Sequence, residues 1–435
     1  MLTGLSWFVQ TDRTRAARKR KYQRKIDAQL AIVRQKGLPV TLEELNSYYL
    51  AVPAEENAAP LYKRAAEELE KARELLREEE GDEFLQGVPL VGEVELPGSG
   101  PVTQKKLSVM KVYLAANAKT FELLERAAEK RRCRYPLDMR EGYQTLMPHL
   151  EYLRSLARLL ALRAIWGAQT GNANLAAESA RDGLRLADSL RKEPTGISQL
   201  VRADCMNIAV DSLERSLGLV DFEDNQFREL KKEMGKSSGP ELLKRGLAGD
   251  LCMGVATFND LRQSSLEEFK KKSDARMARR KRRNGGFEYD QHLYLSRLVP
   301  TIKACTNGYP ELLRKVEKIA EPALWSPDAP SWQTPVVTWM IMPACLRIAR
   351  KIAACEARQR AATTGLAVER YRDAEGDMPS ELRDLVPDYI NQIPPDPCTG
   401  DPLRFRKDEA GYRVYSLGPD RWDDDGVRKE GLEDE

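Results

Sequence analysis

At 435 residues the chain is long enough for two or three domains. Charged residues make up 31% and aromatics 7%, a balance of solvated helical proteins rather than β-sandwiches. A formal net charge of +3 excludes a global field that would by itself demand nucleic acid or membrane. The charge is placed unevenly: basic at the N-terminus and around residue 280, acidic over residues 420–435.

Met1–Val9 (MLTGLSWFV) is too short for a membrane span, which needs roughly 20 apolar residues. With Trp7 where an interfacial aromatic would sit, it reads as the remnant of an anchor, the alternative being an unstructured terminus. Thr11 is placed to cap a basic helix from Asp12 to Lys36, closed by Gly37. Arg13, Arg15, Arg18, Lys19, Arg20 and Lys21 crowd its first half, and Ile26, Leu30 and Val33 stripe its second. Such a helix suits anionic lipid headgroups at a membrane surface, or nucleic acid, or simply solvent on its way into the fold.

Thr41 and Glu44 form a capping box for a short helix to Tyr48, and Asn57 is placed to cap a helix of alternating charge to Arg77. Glu78–Pro101, rich in Gly, Pro and Glu, reads as a long loop with a short strand at Val91–Leu96. A helix over Thr103–Arg132 follows, then a turn at Cys133–Asp138.

The centre is the clearest stretch. Leu150, Leu153, Leu156, Leu160 and Ala164 line one face of a helix ending near Gly171. Asn172 caps a second helix striped by Leu175, Ala176, Ala180, Leu184 and Ala187. Thr195 caps a third that stops near Gly218. Short turns make the three antiparallel. Ala164–Leu186 resembles one tetratricopeptide-like hairpin, but no second copy recurs at the required period.

Beyond it lie a short helix at Asn225–Lys236 and a further helix from Pro240 to about Leu261. The second basic run, Lys270–Arg283, reads as a loop, with helix resuming near Tyr289. Glu321–Pro335 reads as a Pro-rich domain boundary before a long helix over Val336–Ala374. The expected organisation is a basic N-terminal helix over 1–37, a helical bundle over 38–335, and a long helix with a β-hairpin and acidic tail over 336–435. The fold class is mostly α: an irregular antiparallel helical bundle with a small C-terminal α/β module.

No catalytic residue is assigned. His149 and His292 lie outside any H-E-x-x-H, the seven cysteines contain no C-x-x-C, and Ser99 lacks a strand–turn–helix setting. The expected function is non-enzymatic: an interaction or scaffold protein with protein partners. Two alternatives stand beside it, a nucleic-acid-associated helical protein using the 270–283 run and an enzyme with no recognisable motif.

The C-terminal residues Leu366–Gly426 carry an ordered set of strings. These are Gly376-Asp-Met-Pro379, Asp388-Tyr-Ile390, Pro395-Asp-Pro397, an alternating strand at Pro402–Phe405, a second at Tyr412–Ser416, and Leu417-Gly-Pro-Asp420. Together with the preceding helix they resemble the globular part of the major, G-type pseudopilins of type II secretion. The resemblance implies a bacterial cell-envelope protein, membrane-anchored with a periplasmic body. Filament assembly is not implied, because residues 1–335 precede the helix and Cys398 stands where the family has Trp. The family's calcium loop carries over to Asp420 and to Asp423, Asp424 or Asp425, with backbone carbonyls near Leu417 as further oxygen ligands for Ca²⁺.

Overall fold

The computed structural model describes residues 2–92, 100–236, 239–264, 272–320, 330–408 and 411–426. In chain order the helices are α1 (Leu2–Gln35), α2 (Leu42–Tyr48), α3 (Ala59–Glu80), α4 (Asp82–Gln86), α5 (Gln104–Ala116), α6 (Ala118–Ala128), α7 (His149–Gln169) and α8 (Ala173–Asp188). They continue as α9 (Gly196–Leu217), α10 (Asp224–Met234), α11 (Gly239–Gln263), α12 (Lys272–Asn284), α13 (Gly286–Ala304), α14 (Glu311–Ala320) and α15 (Val336–Glu375). Two strands, β1 (Arg404–Asp408) and β2 (Gly411–Tyr415), pair antiparallel with Phe405 opposite Val414. The protein is a mostly α helical bundle with one small hairpin at its C-terminal end.

Helices α7, α8 and α9 form the centre, as their apolar stripes predict. Leu153, Leu156, Leu160, Leu184, Val201 and Leu213 are all buried in one core. The caps are in place: Asn172 accepts from the backbone of Leu175, and Thr195 from that of Ser198. Thr41 accepts from Glu44 N, while the Glu44 carboxylate reaches back to Val40 N.

Five expectations are corrected. The loop expected over Glu78–Pro101 is helical at its start, where α3 continues to Glu80 and α4 spans Asp82–Gln86. Helix α1 runs through Thr11 without interruption, since no Gly or Pro stands between Leu5 and Lys36 to stop it. The helix over 103–132 is broken at Asn117, which is fully buried. Its amide donates to Tyr113 O and its oxygen accepts from Thr120 Oγ1, local bonds that compete with the helical ladder. The 270–283 run is helical over its described part. Ala278 and Lys281 are buried, and Arg282 donates to Leu261 O and Ser264 O at the C-terminal end of α11. Residues Leu382–Leu385 form a 3₁₀ turn rather than a helix over Ser380–Val386. The strand expected at Val91–Leu96 lies largely outside the described residues, as do Ser99 and the tail Glu433–Glu435; Val91 itself is in a turn.

Helix α15 joins the molecule together. Its Cys345, Ile348, Ala349, Ile352, Cys355 and Leu366 belong to the large core, and α9 lies against it. From Ala367 onward the same helix supplies a second, smaller core with Val368, Leu382, Leu385, Ile390 and Leu403. Its N-terminus is held by Asp290 of α13. That carboxylate accepts from Val337 N and Thr338 N, both at 3.1 Å, and from Thr338 Oγ1. Gly376, with φ +78°, ends the helix.

Candidate interaction surface

The two basic runs, some 250 residues apart in the chain, come together in the fold. The second half of α1 packs on α13 through Ile26, Leu30 and Val33. That docking brings the first half alongside α12. The Arg18 guanidinium donates to Asn284 O at 3.3 Å and stacks over the Trp332 ring at 4.3 Å. Lys19 lies so close to Gly285, itself at φ +77°, that a Cβ there would sit 3.1 Å from Lys19 Cγ.

The charges divide into two groups. Lys281 is buried against Asp290 and Thr334 O, so burial lowers its pKa and Asp290 partly restores it. Lys281 and Arg282 therefore serve the fold. Arg13, Arg20, Lys21, Arg24 and Lys25 of α1 are exposed. So are Arg276, Arg279, Arg280 and Arg283 of α12. Behind them is an aromatic seam: Tyr22 packs edge-on to Tyr289 at 5.3 Å, and Tyr289 edge-on to Trp332 at 6.0 Å. His292 completes it, bonded to Gln29 and 3.5 Å from Lys25, and burial together with Lys25 lowers its pKa. Tyr22 lies within the first basic run and Tyr289 just after the second, while Trp332 arrives from a remote segment.

At the other end, the acidic loop is organised by arginines. Asp425 pairs with Arg406, and its backbone carbonyl accepts from Arg413. Asp423 accepts from Tyr415 OH and Asp425 N and lies 4.0 Å from Arg404. Asp420 accepts from Trp422 N, and Asp424 is half-buried. Among the described residues no group of three His, Cys, Asp or Glu is placed to hold a metal ion. Of the carboxylates that the pseudopilin resemblance gives to Ca²⁺, Asp423 and Asp425 thus face arginines, and Asp396 does the organising nearby. Buried in the Pro395-Asp-Pro397 string, Asp396 accepts from Ser416 Oγ and Cys398 N, both at 2.8 Å, and from Leu417 N at 2.9 Å. The sequence carried a signal for it, a lone acid between prolines, without saying what it would hold.

His149 and the thiols are committed to the interior. His149 Nε2 lies 3.0 Å from both carboxylate oxygens of Glu193, and its ring stacks on Tyr135 at 4.2 Å. Glu193, fully buried, also accepts from Ser198 Oγ and Tyr49 OH. Six cysteines are buried, Cys133 is half-buried, and all seven are free. Burial pushes the Cys205 thiol up to about 12 and that of Cys355 up to about 11, so neither supplies a thiolate at neutral pH.

No helix among the described residues is long and apolar enough to cross a membrane. Neither a protein-family model, nor a curated protein, nor a solved structure matches this chain.

Proposed function

We propose that the chain is a non-enzymatic interaction or scaffold protein of the bacterial cell envelope, carrying a pseudopilin-G-like module and held near the membrane by α1. The observation that carries this reading is the build of the C-terminal end. A helix that starts in the bundle core ends as the support of an antiparallel hairpin, the combination on which the pseudopilin resemblance rests. Tyr412 of β2 bonds to Gly365 O at 3.2 Å and to Glu369 at 2.7 Å, fastening hairpin to helix. Support for the non-enzymatic part comes from the histidines and thiols, which are bound into packing contacts. The inward-facing Lys281 and Arg282 weigh against the 270–283 run acting as a nucleic-acid-binding loop.

The test is the location of the full chain in cells that make it from its own gene. Recovery in the envelope fraction, released by detergent, is the expected result. Recovery in the soluble fraction would overturn the proposal.

A further inference from the structure

The geometry points to a partner for the surface shared by α1 and α12: the headgroups of anionic phospholipids. The inference rests on the envelope reading and adds to it the chemistry of the contact. Neither helix alone makes the surface. The α1 half begins its exposed cations at Arg13, and α12 contributes Arg279, Arg280 and Arg283 beside it because Arg18 and Lys19 are locked against Asn284 and Gly285. Acidic residues are sparse in both segments: Asp12 and Asp27 are the acids of α1, and Asp274 is the acid of α12. Ahead of the cations, in the same continuous helix, come Leu2, Leu5, Trp7, Phe8 and Val9. A cationic face and an apolar segment together supply the two signals that stable membrane attachment takes.

Nucleic acid fits less well. Binding a single strand needs free aromatic faces on which bases can stack. Here Trp332 is covered by Arg18, Tyr22 and Tyr289 pack on each other, and all three rings are half-buried.

The experiment is co-sedimentation of the full chain with vesicles. One set is phosphatidylcholine alone, and the other contains phosphatidylglycerol as well. Both are run at about 0.05 M and about 0.5 M NaCl, where the screening length differs severalfold. Two double variants are compared, Arg20→Glu/Arg24→Glu on α1 and Arg279→Glu/Arg283→Glu on α12. The native chain should bind the anionic vesicles at low salt and lose most of that binding at high salt. Each double variant should bind them at least about tenfold more weakly. Thermal melts identify any variant that is unfolded, and Arg→Gln at the same positions replaces it.

Three results would overturn the inference. They are unchanged binding by the folded α12 variant, equal binding to neutral vesicles, and tighter binding of a duplex oligonucleotide than of anionic vesicles at the same salt. Envelope recovery in cells without vesicle binding would remove this surface and leave the envelope reading standing. Vesicle binding with recovery in the soluble fraction would do the reverse.

Discussion

Asp250 shows how one residue is made by its neighbours. The residue before it is glycine because a Cβ at Gly249 would lie 1.6 Å from Pro194 O, and that close approach carries Asp250 to the start of α9. Its carboxylate accepts from Gly196 N at 3.0 Å, while Tyr294 OH donates to its backbone carbonyl. Burial pushes the carboxyl up to about 6, and the Gly196 N–H offsets this only in part. The folded state therefore holds a proton that the unfolded chain, with a pKa near 3.9, has released. The stability that this group contributes is full below about pH 4 and is lost as pH rises through about 6. Asp250→Asn keeps an acceptor for Gly196 and cannot ionise. Denaturation midpoints measured at about pH 4 and about pH 7.5 should show the variant gaining on the native chain by up to roughly 3 kcal/mol, at about 1.4 kcal/mol per pKa unit. An equal difference at both pH values would mean that Asp250 is ionised in the fold. Nothing in the sequence marked Asp250. An acid's environment depends on which strands of chain are brought against it, and Pro194 and Gly196 lie more than fifty residues away.

Among the elements, α7 was the most legible, and it yields a sharp test. Thirteen of its residues are buried, which is more than one stripe and places the helix inside the bundle rather than on it. Leu160→Ala should cost about 2–5 kcal/mol in chemical denaturation, as buried leucine truncations do. Arg158→Ala, on the exposed side, should stay within about 0.5 kcal/mol. A midpoint unchanged by Leu160→Ala would place the wrong face in the core. Periodicity and caps served α7, α8 and α9 because their signals are local: a stripe, an Asn or Thr before it, a Gly after it. They failed for α12 for the opposite reason. Six consecutive residues from Arg279 to Asn284 are polar, and the turn that holds them comes from burying Ala278 and Lys281 against other elements. Asn117 misled in the same way, its helix-breaking bonds being indistinguishable in sequence from those of any polar residue on a helix.

For the molecule as a whole, the open question is how far the bundle and the C-terminal end act as one body. The basic surface was invisible in sequence as a unit, because only the docking of α1 on α13 unites its halves. The C-terminal end was visible as a string of motifs, but its attachment was not. That attachment is extensive: Arg370 pairs with Asp224, Arg372 with Asp221 and Arg421 with Glu317. Cys398 is buried with Leu313 and Ala353, and Arg360 donates to Pro395 O. Surface ion pairs of this sort contribute little singly. The stronger coupling is α15 itself, since unwinding it from Leu366 backward would expose the large core. The hairpin, in turn, is too small to stand without that helix. Leu385→Ala, at a fully buried site in the small core, should therefore lower the stability of the entire chain by about 2–5 kcal/mol. Hydrogen exchange at the amides of α7 to α9 and at those of the β1–β2 hairpin should show protection lost together in a single transition. If the hairpin amides alone lost protection at lower temperature, the two cores would be melting independently. The helix would then be a linker between them rather than a shared part of both.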